Sequence, residues 1–138
     1  MTTYFFFLHF FLKNRPRELR IVVYKGGVEP QLRKVVWKHL LGVYPLGLDG
    51  RQRLDYMRQK SGEYDKLKNN WMQVIANGKV TDEIKYVTNM VRKDVLRTDR
   101  QHKFYSGENN ENITALYNIL TTFALHHPSV GYCQVNYF

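Results

Sequence analysis

The chain has 138 residues, 43% of them hydrophobic and 24% charged, which is the length and balance of one globular domain and excludes a disordered or fibrous segment. A formal net charge of +9 favours an acidic partner, whether nucleic acid, an anionic membrane or an acidic protein face. The single cysteine, Cys133, excludes an internal disulfide framework and a thiolate cage for structural zinc, and it points to a reducing, intracellular setting.

In chain order, Tyr4 to Leu12 is apolar or aromatic at every position but His9. A membrane-spanning helix needs roughly 20 apolar residues, and a secretory signal needs a basic stretch before the run and a small-residue cleavage site after it; both patterns are missing. Two readings stay open for the apolar then basic leader, residues 1–25. It is an interfacial anchor, with Phe and Leu in lipid and Lys13, Arg15, Arg17 and Arg20 on the headgroups, or it is foreign to the domain or packs onto it. The β-branched run from Leu19 to Tyr24 predicts a short extended segment, broken by a turn at Lys25-Gly26-Gly27.

The domain proper, residues 26–138, reads as four helices. Pro30 suits a first turn, and Leu32, Val35, Val36, Leu40 and Leu41 keep to one face until Gly42 offers a stop. After a loop, Leu54, Met57, Tyr64, Leu67, Trp71, Val74 and Ile75 mark a long helix that Gly62 weakens and Asn77-Gly78 ends. Thr81 is the predicted N-cap of the third, with Asp82 and Glu83 complementing the dipole and Ile84, Val87 and Val91 on the buried face beside Met90. Asn110 or Asn112 caps the fourth, whose Ile113, Leu116, Leu120, Phe123 and Ala124 hold helical spacing up to Pro128. The fold class is therefore all-α, with a short extended lead-in.

Most self-contained chemistries lack their residues. There is no phosphate loop of the G-x-x-x-x-G-K type, no dinucleotide turn and no serine nucleophile elbow. His126 and His127 are neighbours, so on a helix they point about 100° apart and do not converge on a metal. Asn112-Ile113-Thr114 fits the glycosylation pattern, but nothing else suggests secretion. One short stretch is dense in charge: VRKDVLRTDR, residues 91–100, holds Arg92, Lys93, Arg97 and Arg100 beside Asp94 and Asp99. Basic residues at the end of a helix complement its dipole in solvent, and that reading stands for Arg92, Lys93 and Arg100.

Three stretches carry a resemblance. Residues 26–45 contain Arg33-x-x-x-Trp37-x-x-Leu40, residues 91–100 contain Val91-x-x-Asp94-x-x-Arg97, and residues 130–134 contain Tyr132-x-Gln134. In this order and at these separations they resemble the TBC domain of Rab GTPase-activating proteins, and the resemblance covers residues 26–134, the N-terminal half of such a domain. It implies an activator that completes the active site of a partner, a Rab-family small GTPase, and is not an enzyme by itself. The partner holds GTP and Mg²⁺, so no cofactor of the chain's own is implied. Arg97 and Gln134 are the implied catalytic residues: a guanidinium that neutralises charge on the transferring phosphate and an amide that positions the attacking water. Asp94, one turn earlier, is expected to orient Arg97 by a salt bridge. Arg33, Trp37 and Tyr132 read as supporting structure, Trp37 and Tyr132 by packing and Arg33 by pairing with a carboxylate.

After the glutamine the family continues with Gly-Met, whereas this chain reads Val135-Asn136-Tyr137-Phe138. A truncated chain of weak activity is the expectation, and a noncatalytic fragment that binds Rab is the alternative. The resemblance implies a cytoplasmic protein, peripheral on vesicle membranes, that takes no nucleic acid; a basic helical nucleic-acid-binding module is the reading that charge alone would support.

Overall fold

The computed structural model describes residues 16–133, and among them every regular element is helical. In chain order these are α1 (Pro16–Gly26), a 3-10 turn (Pro30–Leu32), α2 (Arg33–Leu40), α3 (Gly50–Ala76), α4 (Asp82–Arg97) and α5 (Glu111–His126). The all-α reading holds. The chain divides into two compact units, Met1–Lys60 and Ser61–Phe138.

In the first unit the predicted extended segment is instead helical. β-Branching costs a helix only a few tenths of a kcal/mol per residue, and here Leu19 and Val23, one turn apart, form a buried and a half-buried position of a helix that packs on α2. Glu18 lies in the first turn and Lys25 in the last, each suited to the dipole. Gly27, at φ 68°, returns its N–H to the Val23 carbonyl at 2.8 Å and ends the helix.

Pro30 opens the 3-10 turn, and α2 follows directly. Val36 is its buried residue, with Leu32 and Leu40 half-buried. The expected apolar stripe is covered only at these positions, since Leu41 is 78% exposed. α2 stops as its sequence indicates: Gly42 takes φ 66°, its N–H reaches the His39 carbonyl at 3.1 Å, and the Val43 N–H reaches the Lys38 carbonyl at 2.8 Å.

α3 starts from a reciprocal capping box. The Asp49 carboxylate accepts from the Gln52 N–H at 2.8 Å, and the Gln52 side-chain oxygen accepts from the Asp49 N–H at 2.9 Å. The helix runs through Gly62 without a break and ends at Gly78, where Gly78 N–H to Ile75 O and Lys79 N–H to Val74 O close the same paired motif, each at 3.0 Å.

The core of the second unit lies between α4 and α5. Thr81 caps α4 by accepting from the Ile84 N–H, and Asn110 caps α5 by accepting from the Asn112 N–H at 2.8 Å. Ile84, Val87, Val91 and Val95 are buried along α4, and Val87, Val91 and Val95 cluster with Ala124 of α5. Ile113, Leu116, Tyr117, Leu120, Leu125 and Tyr132 pack around that cluster. Phe123, expected on the buried face, is instead exposed. Trp71, near the end of α3, reaches the same helix: its indole N–H donates to the Thr122 hydroxyl at 2.9 Å, and that hydroxyl donates to the Asn118 carbonyl at 2.7 Å.

Thr121 and Thr122 are adjacent and both buried, yet only the Thr122 hydroxyl has a partner; the Thr121 oxygen makes no hydrogen bond. Opposite outcomes follow for one substitution. Thr122→Val strands the buried indole donor and is expected to cost about 1–3 kcal/mol, while Thr121→Val removes an unsatisfied polar atom and is expected to be neutral or stabilising. Urea unfolding of both variants, with unchanged slope, checks the contrast.

Candidate functional site

The candidate site is built at the C-terminal end of α4, and the buried valines decide which way its side chains face. Val91 and Val95 point into the core, so at about 100° per residue Asp94 falls at the margin of the buried face and Arg97 roughly on the far side from Val95. Asp94 is accordingly half-buried and Arg97 keeps 60% of its side-chain surface in solvent. Lying three residues apart, the two sit one above the other on the helix.

They form one arrangement with a third residue. Arg97 donates from Nε to Asp94 Oδ1 at 3.0 Å and from Nη2 to the same oxygen. The other carboxylate oxygen, Oδ2, accepts from the Tyr132 hydroxyl at 2.6 Å. Thus each Asp94 oxygen has its own donor, one from its own helix and one from a residue 38 positions on. The Thr98 hydroxyl, itself buried, donates to the Asp94 backbone carbonyl at 2.9 Å and satisfies one of the acceptors that a helix end leaves open. The Tyr132 hydroxyl, and after it the Arg97 guanidinium, hold the Asp94 carboxyl below the usual aspartate range, against the opposite effect of burial.

The polypeptide after Arg97 is ordered by its own polar groups. Asp99 adopts φ 21°, a left-handed value that a short polar side chain tolerates, and turns the chain away from the helix axis. Arg100 donates to the Gly107 carbonyl at 2.7 Å and closes the following loop, so it serves as a loop clamp and is not merely a solvated helix-end charge. The side-chain amides of Asn110 and Asn112 both donate to the Phe104 carbonyl, at 3.1 and 2.9 Å.

Of the residues singled out in the sequence, Asp94, Arg97 and Tyr132 are brought together. Tyr132 does pack on the core, as expected, but its hydroxyl also reaches Asp94, which the spacing could not reveal. Arg33 and Trp37 belong to the first unit. Arg33 donates from Nε to the Val28 carbonyl at 3.3 Å in place of the expected carboxylate, and Trp37 is 54% exposed in place of packed. α2 is only eight residues long and is covered chiefly at Val36, so the indole on the next position faces outward. Gln134 and the apolar stretch 4–12 lie outside the described residues. Among the described residues no group of three or more His, Cys, Asp or Glu side chains could hold a metal ion, and no helix is long and apolar enough to cross a membrane.

Comparison with known proteins places this geometry in a family context. The family model of the Rab-GTPase-TBC domain matches residues 30–135, a span that contains all six singled-out residues. The chain is 53% identical over 122 residues to TBC1 domain family member 25 of Homo sapiens and 52% identical over 122 residues to that of Mus musculus, in each case covering 88% of this chain. It is 31% identical over 126 residues, 82% of its length, to GTPase-activating protein gyp7 of Schizosaccharomyces pombe. The chain spans 16–17% of the length of these relatives.

The Asp94 arrangement has a pH signature. With its folded-state pKa below that of the unfolded chain, Asp94 adds stability that is fully present above the ordinary aspartate value and is lost as pH falls through the depressed one. Tyr132→Phe is expected to move the Asp94 titration upward toward the ordinary value and so to narrow the acid range over which the fold holds. Carboxyl ¹³C chemical shifts followed on acidification read this directly, and an unchanged Asp94 titration would contradict the assigned cause.

Proposed function

We propose a function from one premise: the chain belongs to the Rab-GTPase-TBC domain family. It acts as a GTPase-activating protein for small GTPases of the Rab class, supplying side chains to an active site that the GTPase itself leaves incomplete. A relative bearing the name GTPase-activating protein, gyp7, supports this reading. The GTPase holds the nucleotide and Mg²⁺; this chain contributes Arg97 and Gln134.

The observation that carries the proposal is the state of Arg97: a guanidinium at the last position of α4, held on Asp94 yet largely in solvent. Hydrolysis of GTP passes through a loose transition state in which charge spreads over the oxygens of the transferring phosphoryl group and onto the leaving oxygen. A planar, permanently charged guanidinium with donors in a fixed fork meets those oxygens better than an ammonium does. Because the pair is open to solvent on its Arg97 side, it falls at the weak end of salt-bridge energies, about 0–1 kcal/mol, and Arg97 leaves Asp94 at little cost when a phosphate offers stronger partners. Tyr132 stays on the other carboxylate oxygen, so Asp94 is not left wholly uncompensated once Arg97 departs. Asp94 and Tyr132 are in this account positioning residues, and Arg97 is the catalytic one.

Gln134 follows Tyr132 by two positions in the chain. A neutral amide can accept from a water and donate to a phosphate oxygen without adding negative charge to a site already crowded with it. The two motifs thereby act on opposite needs of one reaction: neutralising the phosphoryl charge and orienting the nucleophile.

Single-turnover GTP hydrolysis across a panel of Rab proteins tests the proposal. Arg97→Ala is expected to lower the stimulated rate about 10³-fold or more at saturation, with binding to the GTPase changed only a few-fold. Arg97→Lys should recover little, since a point charge lacks the fork. Stimulation that survives Arg97→Ala would sink the arginine's role, and binding without stimulation would identify a noncatalytic Rab-binding module.

A further inference from the structure

We propose that the outward face of α1 docks on an anionic lipid surface. α1 is amphipathic in an unusual sense. Its inward side carries the buried Leu19 and the half-buried Val23, yet apolar residues recur on its outward side. Ile21 is 48% exposed, Val22 56% and Tyr24 92%. At about 100° per residue, Arg20, Tyr24, Arg17, Ile21 and Lys25 follow one another across an arc of roughly 140°, with Glu18 and then Val22 lying beyond Lys25. All three cations are exposed, and that arc carries no acidic residue; Glu18, half-buried, lies just outside it. An isoleucine and a tyrosine are therefore framed by two arginines and a lysine on a surface that faces water.

That composition fits the boundary of a bilayer. Arginine and lysine meet headgroup phosphates and carboxylates, a branched aliphatic chain gains by entering the acyl boundary, and a tyrosine ring suits the headgroup level, apolar in body and polar at its tip. A nucleic acid would satisfy the cations but would do nothing for Ile21 and Val22, because a phosphate backbone offers no apolar medium. The net charge of +9 gives the attraction its long-range component. Eleven residues with three cations and two or three apolar contacts make a weak, reversible attachment, not an anchor.

Flotation of the full chain with vesicles of phosphatidylcholine and phosphatidylserine, against phosphatidylcholine alone, provides the test. Binding is expected to the mixed vesicles only and to weaken with added salt. Each cation contributes about fivefold, so Arg17→Glu with Arg20→Glu should reduce binding by about 25-fold or more, and Ile21→Asp should reduce it as well. Tyr24→Trp, at a position nearly free of contacts, leaves the fold in place and should add, over the emission of Trp37 and Trp71 in the parent chain, a blue-shifted component quenched by brominated lipid. Vesicle binding that none of the α1 variants disturbs would overturn the proposal. So would absence of binding to the anionic vesicles, or a preference for RNA that displaces the chain from them. If the double variant loses its helical circular dichroism, the Tyr24→Trp emission decides by itself.

Discussion

The rotation of α4 about its own axis is the constraint on which the second unit depends. Val87, Val91 and Val95 are locked against Ala124 of α5, and a helix so pinned has no freedom to turn. Turning by one position would bring a charged neighbour, Arg92 one way or Asp94 the other, toward the apolar side, at the heavy cost of burying an unpaired charge. Packing therefore fixes, without touching them, the direction of Asp94 and Arg97. The site inherits its orientation from residues that take no part in its chemistry.

On this scaffold one carboxylate divides its two oxygens between an exposed partner, Arg97, and a half-buried one, Tyr132. The partner from its own helix is exposed and weakly held; the partner from the segment after α5 is half-buried and rests on the core. Such an arrangement adds little to stability, and because its arginine partner is largely in solvent it narrows the rotamers of that long side chain without fixing them. Thr98 and Arg100 extend the same logic, closing the helix end and the loop after it with side-chain hydrogen bonds.

What was legible in the sequence was local. The caps Thr81 and Asn110 and the stops Gly42 and Gly78 depend on atoms within a few residues, and each stands where residue type and spacing put it. The Asp94–Arg97 pair, one turn apart, belongs to the same class. The Asp49–Gln52 capping box was equally local and was missed, because it uses Asp and Gln where the more familiar pattern has Ser or Thr with Glu. Misreadings came where tertiary contact overrides propensity. In α1, a β-branched run is helical because Leu19 and Val23 find cover one turn apart. Trp37 and Phe123 sit near the apolar side of their helices by periodicity, but periodicity names a direction and not what covers it. The bond from Tyr132 to Asp94 joins positions 38 residues apart, and no pattern along the chain announces it.

The stop of α3 has a chemical consequence of its own. Asn-Gly is the dipeptide most open to ageing by deamidation, in which the glycine's backbone nitrogen attacks the asparagine side chain and closes a succinimide ring. At Asn77-Gly78 that nitrogen is engaged, its hydrogen given to the Ile75 carbonyl at 3.0 Å while the glycine is held at φ 69°. The motif that terminates the helix thus also protects the covalent integrity of its most vulnerable peptide unit, and fraying of that last turn is the step that would start its clock.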